Sequence, residues 1–273
     1  MMGIKQEPAE TYHAQTEFVG SSSLKYMALS PAHFYNAWRG EAIDQTDAMI
    51  NGTMLHSLLL EQDVEKFVAR PQKDGRLVAS NTKDYAAFLA ANPGKTPIHP
   101  DLHSQLYAAL TAFIENKTAM KMLEGAKIEH SVYATDHDTG LQIKARPDIW
   151  GANYIVDLKT VSGKVDHLFQ KKIFNLGYDL QMAHYAETIF AATGELITDH
   201  YIIAFEQNPP FASRIFRLSR KDMASAKATR RAYLNEIAVC LEENKWPSYR
   251  EEIIEVERPA FLEVEHVSFE GVG

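Results

Sequence analysis

The middle of this chain changes period, and that change constrains the fold more than any other feature. Ser131–Thr135, Leu141–Trp150 and Tyr154–Thr160 are rich in β-branched and aromatic residues and read as three consecutive strands. Asp138-Thr139-Gly140 and Gly151-Ala152-Asn153 supply the turns between them. On either side the spacing is helical. Leu55, Leu58, Leu59 and Leu60 predict a helix from Asp47 to Glu61, and Leu102, Leu106, Leu110, Phe113 and Ile114 predict one from Asp101 to Leu123. Ser21-Ser22-Ser23 reads as the cap of a helix that ends near Ser30-Pro31. Between Pro71 and Pro100 the sequence predicts loop, with one short helix at Lys83–Ala91. After the strands come a helix over Leu180–Ala192 closed by Gly194, strands at His200–Phe205 and Ser213–Leu218, and a helix from Arg220 to Asn244. The expectation is an α/β fold: a small mixed β-sheet flanked by helices, with a helical N-terminal part. Residues 1–20 are expected as a polar arm, 21–250 as one domain and 251–273 as a strand or tail.

Composition narrows the function classes. With 45% hydrophobic and 23% charged residues over 273 positions, the chain is not intrinsically disordered. No apolar run reaches the ~20 residues needed to span a bilayer, and the first residues lack the apolar core of a signal peptide. Cys240 is the single cysteine, so an internal disulfide and an iron–sulfur cluster within one chain are both excluded. A reducing cytoplasm is the expected location. The net charge of −8 argues against binding nucleic acid by bulk charge, so any DNA contact must be local. Such a bias exists: Arg214, Arg217, Arg220, Lys221, Lys227, Arg230 and Arg231 are opposed only by Asp222 over that stretch. A solvated helix face and a phosphate-binding surface both fit it.

The chemistry concentrates on the second turn. Asp157 and Lys159 are two apart and share a strand face. An even loop centred on Ala152/Asn153 puts Asp148 opposite Asp157, where Cβ atoms of an antiparallel pair lie about 5 Å apart. Two carboxylates that close repel, and with Ile155, Val156 and Leu158 beside them the strand reads as buried. A divalent ion with oxygen ligands relieves both problems. An exposed hairpin with scattered charges also fits the spacing. Pro147 weighs against it, because a proline inside a strand marks an end or a bulge, where side chains are aimed at sites.

Pro147-Asp148, eight residues, then Asp157-Leu158-Lys159 resembles the signature of the PD-(D/E)XK nucleases. Gly52-Thr53-Met54-Leu55-His56 resembles the upstream histidine motif of the RecB-like branch, and Gln181-Met182-Ala183-His184-Tyr185 its Q-x-x-x-Y motif. Lys144-Ala145-Arg146-Pro147-Asp148 and the opening from Ser21 to Phe34 resemble the nuclease domain of RecE-type exonucleases (exodeoxyribonuclease VIII), common in prophages. The resemblance runs from about Ser21 to Trp246. It implies a PD-(D/E)XK, restriction-endonuclease-like core and a Mg²⁺- or Mn²⁺-dependent exonuclease, running 5′→3′ on linear duplex DNA. By the same resemblance the protein is a ring-forming homo-oligomer, with a single-strand annealing protein as partner, in a bacterial or phage-infected cell.

Residue by residue, the resemblance makes Asp148, Asp157 and the Leu158 carbonyl metal ligands and Lys159 the group that stabilises charge on the attacking water or phosphate. His56, on its own a candidate buried core histidine, becomes a ligand, with Gly52 admitting a close neighbour. Glu129, otherwise a solvated acid, becomes a candidate third carboxylate. Gln181 and Tyr185, i and i+4 on one helix, become a polar pair orienting the site. Arg146 is either structural or a phosphate contact. Ser22 and Ser23 join the basic residues as DNA-binding candidates. An endonuclease or single-strand-specific nuclease on the same core is the alternative within enzymes. A DNA- or partner-binding module with a dead site is the alternative outside them, and retention of His56, Asp148, Asp157, Lys159 and Gln181 argues against it.

Overall fold

The computed structural model describes residues 2–40, 47–249 and 252–257. In chain order the N-terminal part holds β1 (Gly3–Lys5), α1 (Ala9–His13), α2 (Ser21–Leu24), α3 (Pro31–Arg39) and α4 (Asp47–Glu61). Next come β2 (Phe67–Ala69), β3 (Gln72–Lys73), β4 (Arg76–Leu77), α5 (Lys83–Ala91), β5 (Thr96–Ile98), α6 (Pro100–Glu115) and α7 (Lys117–Leu123). The central region holds β6 (Lys127–Ile128), β7 (Ser131–Thr135), β8 (Gln142–Ala145), β9 (Ile149–Trp150) and β10 (Tyr154–Val161). It is followed by α8 (Phe169–Asn175), α9 (Tyr178–Thr193), β11 (Asp199–Glu206), β12 (Ser213–Arg217) and α10 (Arg220–Glu243).

The main sheet has the order β12-β11-β10-β9-β6 and is mixed: β10 and β11 run parallel, and the other pairs are antiparallel. The parallel pair is joined through α8 and α9, the helical crossover that parallel strands need. Successive β10 residues face opposite layers. Val156 and Leu158 pack with Ile203 and Phe205 against α4 and α6, through Leu55, Leu58, Leu59, Leu106 and Phe113. Ile155, Ile202 and Ala204 face α8 and α9 through Phe169, Ile173, Met182, Ala183 and Ile189. Burial on both faces explains why β10 and β11 are almost continuously apolar. Gly52 lets α4 approach β10, since a Cβ there would lie 2.9 Å from the Thr160 hydroxyl. A second sheet, β1-β7-β8, is covered by α2, α3 and the end of α10 through Leu24, Phe34, Ile143 and Leu234.

Several expectations change. The stretch Leu141–Trp150 is two strands in two sheets, separated at Arg146-Pro147-Asp148. Proline cannot continue the ladder, and the break turns the chain from one sheet into the other. The helix expected from Asp101 to Leu123 breaks at Asn116, whose side chain caps α7 by accepting from the Ala119 N–H at 3.1 Å. The first twenty residues are not an arm: β1 pairs with β7, and Tyr12, Phe18 and Val19 are buried. The serine cap is not made, because Gly20 is the N-cap residue of α2. Helix α8 was not anticipated. Of the expected C-terminal strand or tail, residues 252–257 form no regular element, and the rest lies outside the described residues.

Candidate active site

The site forms where β9 gives out beside β10. Ile155 pairs with Trp150 and Val156 with Ile149, the register that an even loop centred on Ala152/Asn153 requires. Two residues further on, this register sets Pro147 opposite Leu158. Proline has no N–H to donate, so the Leu158 carbonyl loses its ladder donor. The Leu158 N–H instead donates to Asp148 Oδ2 at 2.6 Å. N–H and C=O of one residue leave a strand on the same side, so the Leu158 carbonyl faces the site as well. Pro147 is therefore the residue that leaves the Leu158 carbonyl turned toward the site without a ladder donor.

Four elements converge there. His56, from α4, places Nε2 2.9 Å from Asp148 Oδ2 and Nδ1 3.8 Å from Glu129 Oε1. Glu129 follows β6 with φ +49, a left-handed conformation unusual for a side-chain-bearing residue. Its N–H bonds to the Asp148 carbonyl at 3.0 Å, and its carboxylate turns into the site. Asp157, on β10, is nearly inaccessible at 2% exposure. Its Oδ1 accepts from Gln181 Nε2 at 2.9 Å, and the same amide donates to the Tyr185 hydroxyl at 2.6 Å. Its Oδ2 has no oriented hydrogen-bond donor and is met only by the Lys159 ammonium, 2.7 Å away.

The charges are uneven. Burial, opposed by Lys159 but reinforced by Asp148, lifts the Asp157 carboxyl to about 6. Asp148 is equally buried, yet the charge and hydrogen bond of His56 hold it below the usual carboxylate range. His56 is raised to about 9: burial works against its charged form, and Asp148 and Glu129 overcome that. Lys159, despite burial, is kept charged by Asp157 and Asp148. Without metal the site holds two ion pairs, His56–Asp148 and Lys159–Asp157, with Asp157 the group nearest to giving up its charge.

The residues fit a hard divalent ion. Among the described residues, His56, Glu129 and Asp148 each offer a ligand atom within 4.8 Å of the others. Carboxylates, an imidazole and a free carbonyl suit Mg²⁺ or Mn²⁺. Asp157 Oδ2, buried and met only by the Lys159 ammonium, has capacity left for a second cation. Asp157 stands outside the three-residue group because it is turned toward Lys159 and Gln181.

The DNA-binding candidates do not gather here. Arg230 is 2% exposed: its Nε donates to His184 Nδ1 at 3.4 Å, and its Nη1 lies 3.8 Å from Asp136. Arg231 grips Asp136 with bonds of 2.6 and 2.9 Å. Arg230 is buried and structural, so the expectation of a phosphate-binding surface is corrected at that position, while Arg231, partly exposed, is engaged by Asp136. Helix α10 turns Arg230 inward and sets Arg231 at the surface, both against the carboxylate that closes the β7–β8 turn. Arg217 pairs with Asp199, and Arg214 is exposed. Ser23 is buried and donates to the Gly20 carbonyl at 3.1 Å, while Ser22 is exposed. Arg146 donates to the Glu7 carbonyl at 2.8 Å and Ser131 Oγ at 3.0 Å, and lies 3.5 Å from Glu129. It ties the N-terminal segment to the site.

Sequence reasoning missed Tyr178, whose ring lies 4.6 Å from the Lys159 ammonium. Its position three residues before Gln181, on the same helix face, was the available signal.

The fold and this cluster define a PD-(D/E)XK nuclease fold resembling the RecE-type exonucleases. Residues 20–259 match the family described as PDDEXK-like domain of unknown function (DUF3799), and the chain belongs to that family. Among solved structures, a candidate exonuclease from Eubacterium rectale is 17% identical with a TM-score of 0.61, covering 93% of this chain and 96% of its own. The LHK-Exo exonuclease of Laribacter hongkongensis, solved with dAMP, is 15% identical with a TM-score of 0.43, covering 87% and 96%. A phage related exonuclease from Haemophilus somnus is 14% identical with a TM-score of 0.37, covering 83% and 96%. Only the first is close enough for its fold to be compared in detail. No curated protein matches the chain.

Proposed function

We propose that this protein is a divalent-metal-dependent deoxyribonuclease acting as a 5′→3′ exonuclease on linear double-stranded DNA, leaving 3′ single strands for phage-type recombination. The observation that carries the reading is the meeting of His56, Asp148, Asp157 and Lys159 around the Leu158 backbone, with the buried Asp157 Oδ2 met only by the Lys159 ammonium. The similarity in fold to a candidate exonuclease supports it. His56, Glu129, Asp148, Asp157 and the Leu158 carbonyl would hold Mg²⁺ or Mn²⁺, which supplies a polarised phosphoryl oxygen and a water of lowered pKa. Lys159 stabilises the negative charge that develops on the phosphate. Gln181, fixed by Tyr185, holds Asp157 in orientation. The products are a 5′-phosphate and a 3′-hydroxyl. By resemblance the protein works in the cytoplasm as a homo-oligomeric ring, beside a single-strand annealing protein.

Digestion of end-labelled linear duplex with Mg²⁺ or Mn²⁺, with and without a 5′-phosphate, tests the reading against covalently closed duplex. Linear DNA should be consumed from its 5′ ends while closed circles survive. Cut circles would make it an endonuclease. No cleavage with either metal would overturn the assignment.

A further inference from the structure

With Arg230 buried and Arg231 paired to Asp136, unpaired positive charge remains on the segment that follows β10. Between Val161 and Gly177 the chain carries Lys164, Lys171 and Lys172 against Asp166, and Asp166 is used locally, accepting from the Leu168 N–H at 2.9 Å. Among the described residues, none of these lysines makes an ion pair, and all three are exposed. The same segment exposes large apolar side chains: Leu168 at 46%, Phe174 at 47% and Leu176 at 49%. Exposed apolar groups beside unpaired cations on and around one short helix suit neither a core nor an ordinary solvated face.

The segment borders a groove of about 460 Å³ between α8, α9, α10 and the turn after α2, with Tyr26, Leu29, Phe174 and Leu176 on its walls. Lys25 lines the groove too and has no acidic partner among the described residues. Partial burial and the Lys159 ammonium both hold Lys25 below the ordinary lysine range, so the two cations are within electrostatic reach. The Lys25 side chain packs at Gly177, immediately before Tyr178, which carries the Lys159 ammonium on its ring. Gly177 on the groove wall and Tyr178 against Lys159 are consecutive residues, so the groove lies beside the candidate site. One acid lines it, Asp179, and burial and Asp222 hold its carboxyl above the usual range.

We propose that α8 and this groove form the seat for unpaired nucleotides of the strand being cut, with Lys25, Lys171 and Lys172 on phosphates and Phe174 and Leu176 against bases. The inference rests on the nuclease reading and adds where the strand lies. Cations that follow a backbone beside apolar and aromatic groups that receive base faces are the elements of single-strand binding. Duplex DNA offers stacked bases, which give Phe174 and Leu176 nothing to cover.

The test uses the full chain in EDTA, with a fluorescein-labelled single-stranded oligonucleotide followed by anisotropy over a series of salt concentrations. Phe174→Ala should weaken binding about fivefold or more. The double variant Lys171→Glu/Lys172→Glu should weaken it and flatten the log Kd against log salt slope by about 1.4, the value for two lost single-strand phosphate contacts. These side chains are exposed, and unchanged melting temperatures would show that folding is unaffected. Unchanged affinity and slope in both variants would overturn the proposal. Weakened binding of blunt duplex with single-strand binding intact would overturn it as well. Mn²⁺-dependent cleavage by the wild type is assayed separately. Its absence would sink the nuclease reading, and the EDTA titration would still report on the groove.

Discussion

Asp157 should be a residue whose charge destabilises the fold that it serves. Its carboxyl is raised from 3.8 to about 6, with burial as the main cause and Asp148 adding to it. A shift of that size corresponds to ~3 kcal/mol of preference for the neutral form, at ~1.4 kcal/mol per unit. The sign follows from proton counting. Between pH 3.8 and about 6 the folded protein binds more protons at this site than the unfolded chain, so stability falls as pH rises through that window and the full penalty is present above it. Asp157→Asn mimics the neutral form, and its side-chain oxygen can still accept from Gln181. In EDTA at pH 8 the variant should therefore be the more stable protein, by up to ~3 kcal/mol and by several degrees in melting temperature. The two proteins should converge as pH falls below 4. Metal closes the gap: Mn²⁺ stabilises the wild type by RT ln(1 + [L]/Kd), about 2.7 kcal/mol at a hundredfold excess, and should leave the inactive variant nearly unmoved. The assay is a matrix of thermal melts across pH, in EDTA and in Mn²⁺. A variant that is less stable than wild type at pH 8 in EDTA would refute the electrostatic argument. An equal Mn²⁺ shift in both proteins would mean that the ion binds elsewhere.

Lys159→Ala should keep metal and DNA binding and lose on the order of 10²–10³ in kcat, as expected for removal of one group that acts in the transition state; single-turnover cleavage alongside equilibrium binding checks this. Pro147→Ala returns an N–H opposite the Leu158 carbonyl, and the competing hydrogen bond should raise the Mn²⁺ Kd about tenfold, read by calorimetry, with the melting temperature in EDTA little changed. Arg230→Ala should cost ~2 kcal/mol or more by leaving His184 and part of Asp136 without a partner. The salt slope of DNA binding should stay as in the wild type, since Arg230 is buried; chemical denaturation and a salt titration separate the two effects.

The sequence carried what consecutive residues can encode. Side-chain alternation put Asp157 and Lys159 on one face. The even loop around Ala152/Asn153 set the β9–β10 register, and Pro147 marked the end of the pairing. Helical spacing joined Gln181 to Tyr185, and Gly194 ends α9 in the left-handed conformation. Each is a rule of local geometry, acting over a few residues. Tertiary packing decided the rest. Nothing near Arg230 in the chain shows that it will be buried against Asp136 and His184, because both partners are distant in sequence. Glu129 became a site residue only when its bond to the Asp148 carbonyl and its left-handed backbone turned it inward. The stretch Leu141–Trp150 reads as one strand, and its division between two sheets depends on which neighbours each half meets. Side chains that look equivalent along the chain are sorted by long-range contacts, and sequence periodicity carries no information about those.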